Sequence, residues 1–134
     1  MTMIMTASGI CSATDWEIAS GPSNKSHVYY MDMDSTWYDG TDGGFIMRWD
    51  LRPGKMYVST AGNYIDIPKG GYVVVEYSFE DYAKDAEFLR KDRELYYDAD
   101  DNVIFNTTGS NGTVVTNKYY SWDWCQTVKR RHGY

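Results

Sequence analysis

Apolar and polar residues alternate along much of this chain, in short runs separated by glycine, proline, asparagine and aspartate. The clearest run is residues 45–51, where Phe45, Met47, Trp49 and Leu51 fall on one side of the alternation. A period of two residues is the pattern of a β-strand that buries one face. We therefore predict a strand at residues 45–51.

Similar runs predict the remaining elements. In one of them, Tyr29, Met31 and Met33 share a face. The unbroken apolar run at residues 72–75 indicates a central strand covered on both faces. Residues 80–94 fit both a helical face and an alternation, and we expect a turn or short helix there before the next strand. The further strands are expected at residues 15–19, 27–33, 56–60, 64–67, 72–79, 87–97, 103–107 and 113–122.

Turn residues suggest how the strands connect. Pro53-Gly54 has the chemistry of a type II turn and predicts a hairpin between residues 45–51 and 56–60. The pair Asn111-Gly112 predicts a second hairpin. Residues 39–44 are rich in aspartate and glycine, which places the preceding Trp37 and Tyr38 on a loop.

The end of the chain is expected to be helical. Residues 123–131 predict one or two helical turns, because Lys129, Arg130 and Arg131 suit the C-terminal end of a helix and Gly133 follows them. The predicted fold is α+β but mostly β: a single curved antiparallel sheet of about six to eight strands in meander order, with a short C-terminal helix.

Composition supports one β-rich domain. The chain has 134 residues, and its 13 Tyr, 5 Trp and 4 Phe favour pleated surfaces over helices. The formal charge of -6 repels a phosphate backbone, so we expect no nucleic-acid partner. No apolar run has the roughly 20 residues of a membrane span. The opening Met-Thr-Met-Ile resembles a cloning-vector leader, and we assign residues 1–12 to a flexible leader and 13–134 to the domain.

Candidate catalytic and metal groups are sparse. The chain has only two cysteines, Cys11 and Cys125, which is too few for a four-cysteine zinc site. The two either form a disulfide or remain free thiols. Loops starting at Asp32 and Asp98 lack the glycine and the last carboxylate of a calcium loop, so we expect no metal and no cofactor. Four carboxylates on predicted strands offer a hydrolase-like pair if they converge. They are Asp32, Asp50, Glu76 and Glu94.

Aromatic residues are the most prominent candidates for a function. Rings that face outward beside acidic residues form the kind of surface that binds proteins or sugars. We predict a binding surface made by Trp37, Tyr38, Tyr119, Tyr120 and Trp122.

A resemblance to a known family rests on several short motifs. In order they are Asp-Trp-Glu-Ile at 15–18, Tyr-Tyr-Met-Asp at 29–32, the run at 45–51, Glu-Tyr at 76–77 and Tyr-Tyr-Asp-Ala-Asp at 96–100. Together with a late tryptophan, Trp122 or Trp124, they resemble the bacterial surface-adhesin protein E family. The position near which that family carries a cysteine is Phe79 here, and Cys125 comes earlier in the tail than its family counterpart.

The resemblance implies a sheet with the C-terminal helix on its concave side, an exported or periplasmic location and adhesion to host proteins. Without it we expect a cytoplasmic protein. The leading hypothesis is a non-enzymatic module that binds a protein or glycan partner. The alternatives are a small hydrolase and an acidic inhibitor of a basic enzyme. The sequence leaves open whether the protein forms a homodimer through a sheet edge or face.

Overall fold

The computed structural model describes residues 15–22 and 27–134 of the chain. Within them a large antiparallel sheet is followed by one C-terminal helix, so the predicted fold class is confirmed. The expected leader at residues 1–12, Cys11 included, lies outside the described residues. The strands are β1 (Trp16–Ala19), β2 (Tyr29–Tyr38), β3 (Asp42–Asp50), β4 (Gly54–Val58), β5 (Asn63–Ile67), β6 (Tyr72–Ala83), β7 (Ala86–Tyr97), β8 (Val103–Thr108) and β9 (Thr113–Thr116), and the helix is α1 (Tyr120–Arg131).

The main sheet has seven strands in the order β1-β2-β3-β6-β7-β8, with β9 also paired to β7. β4 and β5 form a separate two-stranded sheet between β3 and β6 in the chain. β6 lies between β3 and β7, so the central position expected for the valine run is confirmed.

One face of the sheet carries the core. Alternation places Met31 of β2, Met47 of β3 and Val75 of β6 on this face, each at most 1% exposed. From the other side α1 contributes Trp124, Cys125 and Val128, which are also buried. Burying a side chain of this size contributes roughly 1.5–3 kcal/mol. Packing of the helix on the sheet therefore stabilises the fold, and we call this side the helix-covered face.

The helix is longer than expected and begins earlier. The strand predicted at residues 113–122 was expected to continue to Trp122, but the helix starts at Tyr120. Burial explains the difference, because Trp124, Cys125 and Val128 are spaced so that a helix turns all three toward the sheet. The expected basic residues, Lys129 to Arg131, do lie in its last turn.

Two predicted hairpins are wrong. The turn at Pro53-Gly54 leads into β4, but β4 pairs with β5, and β3 pairs with β6. The Asn111-Gly112 segment joins β8 and β9, which do not pair with each other, because both pair with β7 at different positions along it. Turn chemistry indicates that a chain bends, whereas the choice of partner depends on which strands bury apolar faces together.

The region of residues 80–94 is resolved in favour of strands. β6 continues to Ala83, a tight turn at Lys84 and Asp85 follows, and β7 begins at Ala86. Asp85 adopts a positive φ of 60°, which aspartate tolerates better than most residues. The long β6–β7 hairpin is therefore uninterrupted by a helix.

Candidate functional site

The sequence predicted a loop for Trp37 and Tyr38, but both residues lie on β2. A register shift between Asp32 and Trp37 marks a bulge in the pairing with β3. Trp37 is 45% exposed, and its indole lies over Gly44, where an added Cβ would fall 2.3 Å from Nε1. Since Gly43 meets the core residue Phe79, Gly44 and Trp37 are on the opposite face of the sheet.

Tyr38 is on the helix-covered face and has partners of its own. Its ring stacks on Phe79 at 5.9 Å, and its hydroxyl donates a 2.7 Å hydrogen bond to Asp81 Oδ2. Desolvation, and then that bond, raise the pKa of Tyr38 to about 12. Trp37 and Tyr38 therefore do not form one surface.

A concavity of about 550 Å³ lies beside the N-terminal end of α1. It is bordered by the helix-covered face, by the residues that follow β4 and by the loop between β8 and β9. We call it the aromatic cavity. Its aromatic lining consists of Tyr29, Trp49, Tyr77, Tyr119, Tyr120 and Trp124.

These rings hold one another in place. Tyr29 stacks on Tyr120 at 5.5 Å, meets Trp49 edge to face at 4.8 Å and lies 5.3 Å from Trp124. Burial, and then the contact with Tyr120, raise the pKa of Tyr29 well above its ordinary value. Burial also raises the pKa of Tyr77. Both phenols are therefore neutral hydrogen-bonding groups at neutral pH.

Polar groups are set among the rings. Lys91 lines the cavity, and its backbone N–H donates to Ser110 Oγ at 2.9 Å. Thr60, which also lines the cavity, donates to Glu94 Oε2 at 3.0 Å. Glu94 is 3% exposed, and the Lys91 ammonium lies 3.8 Å from its Oε2. The cavity thus offers hydroxyl groups and one ammonium group beside apolar rings.

The five predicted binding residues are divided among four places, of which the site of Trp122 is described below. Tyr119 and Tyr120 line the aromatic cavity, Trp37 is on the opposite face, and Tyr38 is partly buried against the edge of the core. The sequence prediction missed Tyr29, Trp49, Tyr77 and Trp124. A signal for two of them was present, because Tyr29 and Trp49 lie in strands whose alternation puts them with the buried methionines.

Trp122 faces a separate polar cluster at the turn between β6 and β7. Lys129 lies 2.6 Å from Asp81 Oδ1 and 2.5 Å from Glu87 Oε2, and Gln126 also donates to Glu87 Oε2 at 2.9 Å. These residues and Trp122 line a cavity of about 420 Å³, which we call the turn cavity.

The charges in this cluster depend on each other. Burial raises the pKa of Glu87 and outweighs the hydrogen bonds from Lys129 and Gln126, which act to lower it. Partial burial also acts to raise the pKa of Asp81, but the hydrogen bonds from Lys129 and Tyr38 lower it. For Lys129, desolvation acts to lower the pKa, and the bonds to the two carboxylates raise it. Lys129 is therefore an ammonium group shared by two carboxylates.

The four strand carboxylates considered for hydrolysis do not converge. Glu94 pairs with the core residue Val75 and is on the helix-covered face. Glu76 is on the opposite face, where Arg93 donates to it. Asp32 alternates with Met31 and Met33, so it too lies away from the helix. Asp50 is exposed at the end of β3.

No cluster of three or more His, Cys, Asp or Glu side chains in the described part of the chain is placed to hold a metal ion. Asp98, at the start of one of the tested loops, accepts backbone hydrogen bonds from Asp100 and Asn102. Within residues 15–22 and 27–134, no helix combines the length and the apolar character required to cross a membrane. Comparisons of the chain with protein-family models, with curated proteins and with solved structures find no match.

Proposed function

We propose that the protein is a non-enzymatic binding module that takes a neutral glycan of one or two sugar rings in the aromatic cavity. The observation that carries this proposal is the lining of the cavity, in which six aromatic side chains surround hydroxyl groups and a single lysine. Its volume of about 550 Å³ is in the range of small-ligand sites.

Aromatic rings suit the apolar C–H face of a pyranose. A ring offers a large, rigid contact area at a small cost in conformational entropy. Tyr119, just before α1, is 58% exposed, and Tyr120, its first residue, is 38% exposed, so both rings are accessible from solvent. Tyr29, beneath Tyr120, forms the wall behind them.

The polar lining suits the hydroxyl groups of a sugar. Thr60, Ser110 and Tyr77 each carry a hydroxyl group at the cavity, and Lys91 adds an ammonium group. Hydroxyl groups both donate and accept, so they can pair with sugar hydroxyls in either direction. The net charge of -6 opposes acidic glycans, which favours a neutral one.

The adhesin resemblance is compatible with this proposal, because a module that recognises glycans can attach to a glycosylated surface. The alternative of a protein partner has less support. The six rings of the aromatic cavity line a concave site, and the exposed Trp37 lies on the other face of the sheet, apart from them.

The test is binding to a panel of neutral disaccharides, namely maltose, cellobiose, lactose and chitobiose, by calorimetry. We expect at least one to bind and Tyr119→Ala to weaken it about tenfold, since loss of a stacked ring costs roughly 0.5–1.5 kcal/mol beyond the lost area.

Tyr64→Ala is the matched control, because Tyr64 is 62% exposed on β5 and does not line the cavity. It should leave the affinity unchanged. Binding to none of the four sugars, or equal losses in the two variants, would overturn the proposal.

A further inference from the structure

Trp37 is a predicted binding residue outside the aromatic cavity, and it borders a concavity of its own. This concavity has a volume of about 210 Å³, and we call it the opposite-face site. Its lining includes the indole of Trp37 and the carboxylates of Glu76 and Asp92. Trp37 is half-exposed and Asp92 is exposed, so a ligand in solvent can reach both side chains.

Strand pairing sets the indole close to the carboxylates. The indole lies over Gly44 of β3, and Gly44 pairs with Ser78 of β6. Ser78 in turn donates a 3.0 Å hydrogen bond to Asp92 Oδ1 on β7. Adjacent strands are about 4.8 Å apart, so the indole and the Asp92 carboxylate lie on either side of the small Ser78 side chain. A single small group can therefore contact both.

The two carboxylates retain acceptor capacity. Both hydrogen bonds from Arg93 to Glu76, at 3.0 Å from Nε and at 2.6 Å from a terminal nitrogen, end on Oε2. Asp92 accepts from Ser78, and among the described residues no lysine or arginine forms an ion pair with it. The pair of carboxylates thus has one bonded cation in the described part of the chain, which leaves an excess of negative charge.

The indole is the ring type that attracts cations most strongly, ahead of tyrosine and phenylalanine. Three contacts between a cation and a ring occur within the described residues, over the rings of Tyr72, Phe88 and Tyr38. None of these three involves Trp37. The exposed part of its indole is therefore available to a cation from outside the chain.

A guanidinium group suits the ring and the carboxylates together. It is planar and stacks on aromatic rings, and its five N–H donors form a fork that matches carboxylate oxygens. An ammonium group can pair with a carboxylate but has no flat surface to stack. The formal charge of -6 also attracts cations toward the protein.

We propose that the opposite-face site binds a guanidinium group, stacked on Trp37 and paired with Asp92 and Glu76. Such a group is carried by an arginine side chain of a protein partner or by a small free guanidinium compound. The site goes beyond the proposed glycan binding, because it uses different residues on the other face of the sheet.

The test follows the tryptophan indole signals of the ¹⁵N-labelled full chain during titration with methylguanidinium, methylammonium and neutral methylurea at constant ionic strength. Trp37→Phe identifies the Trp37 signal. If that variant does not fold, contacts between the indole and the Gly44 protons identify the signal in the unmodified protein. We expect methylguanidinium to shift it saturably, methylammonium to shift it less and methylurea to leave it in place. Trp49 and Trp124, in the aromatic cavity, should not respond.

Asp92→Asn tests the carboxylate, and Asp66→Asn is the matched control. Asparagine keeps an acceptor for Ser78, and we expect the affinity for methylguanidinium to fall about threefold, as for the loss of an exposed ion pair. Asp66→Asn removes the same charge from β5 and should leave the affinity unchanged.

A capped Gly-Arg-Gly peptide distinguishes the two sources of the guanidinium group. A peptide that binds at least as well as methylguanidinium indicates an arginine side chain, and one that does not bind indicates a small free compound. The proposal is overturned if methylguanidinium does not shift the Trp37 signal saturably, or if methylammonium or methylurea shifts it as much. Equal losses in Asp92→Asn and Asp66→Asn would also overturn it, because the cation would then respond only to the overall charge.

Discussion

At the scale of single residues, the sheet tolerates little change where β3 meets its neighbours. Gly43 is buried, and an added Cβ would lie 2.4 Å from Phe79 Cζ and 2.9 Å from the Trp37 carbonyl oxygen. Phe79 is fully buried and packs against Tyr38 and Phe45, so it has little room to move. The absence of a side chain at position 43 is therefore a requirement of packing.

We predict that Gly43→Ala lowers the free energy of unfolding by about 1–3 kcal/mol, the usual cost of overpacking a core. Gly44→Ala is the comparison, since its Cβ would first meet the half-exposed indole of Trp37. That ring can move into solvent, so a smaller loss is expected. Urea unfolding of both variants measures the difference, and a larger loss for Gly44→Ala would contradict this explanation.

Lys129 is a second residue whose loss has a specific consequence. Lys129→Met leaves Glu87 buried without its cation, and we expect a loss of about 3 kcal/mol at neutral pH. Lys118→Met, at an exposed lysine, is the control and should change little.

The pH dependence of that loss has a definite sign. Burial raises the pKa of Glu87 above its ordinary 4.5. Glu87 therefore lowers the free energy of unfolding increasingly as the pH rises from about 4.5 through the folded pKa. Removing Lys129 raises that pKa further, so the deficit of Lys129→Met should shrink as the pH falls and Glu87 becomes protonated. Chemical unfolding across acidic and neutral pH tests this, and a deficit that grows toward acid would contradict it.

At the scale of elements, the alternation in the sequence predicted most strands and their faces, because burial of one face requires it. The faces of β2 and β3 were predicted correctly from Tyr29, Met31 and Met47. The strand partners in the two predicted hairpins and the first residue of α1 were predicted wrongly. Those features depend on contacts between distant parts of the chain, such as the bond from Trp124 Nε1 to Ser20 O.

The dependence on contacts between distant parts of the chain also explains why the site was predicted only in part. Tyr119 and Tyr120 were predicted as binding residues, but their companions in the aromatic cavity come from β2, β3 and β6. Only the pairing of those strands brings Tyr29, Trp49 and Tyr77 to one place, and pairing cannot be read from local pattern. The bulge between Asp32 and Trp37 has no local signal either.

The turn between β7 and β8 gives a prediction at the element scale. Asp98 accepts hydrogen bonds from the backbone N–H groups of Asp100 and Asn102, and these bonds, that of Asn102 first, lower its pKa. We expect Asp98→Ala to lower the melting temperature at neutral pH and Asp98→Asn to lower it less, because asparagine retains an acceptor.

The stabilisation by Asp98 should also depend on pH. A carboxyl whose folded pKa is depressed contributes above its ordinary pKa of 3.8 and loses that contribution as the pH falls through the folded value. The difference between wild type and Asp98→Ala should therefore close in acid. Melting curves at several pH values measure it, and a constant difference would show that Asp98 acts through something other than its charge.

At the scale of the whole molecule, the acidic charge and the aromatic cavity predict different binding behaviour. Binding of a neutral sugar against aromatic rings should change little between about 0.05 and 0.5 M salt, because screening acts on charged partners. An inhibitor of a basic enzyme would lose affinity steeply over that range. Calorimetry of a bound disaccharide at both salt concentrations distinguishes the two functions.

The most direct test of glycan binding follows the tryptophan indole signals during titration with the disaccharide from the panel that binds best. Trp49 and Trp124 line the aromatic cavity, Trp122 lines the turn cavity, and Trp37 lies on the opposite face. The account predicts that the signals of Trp49 and Trp124 shift together and saturate, while that of Trp37 stays in place. A shift at Trp37 with none at Trp49 and Trp124 would place the sugar outside the aromatic cavity and contradict it.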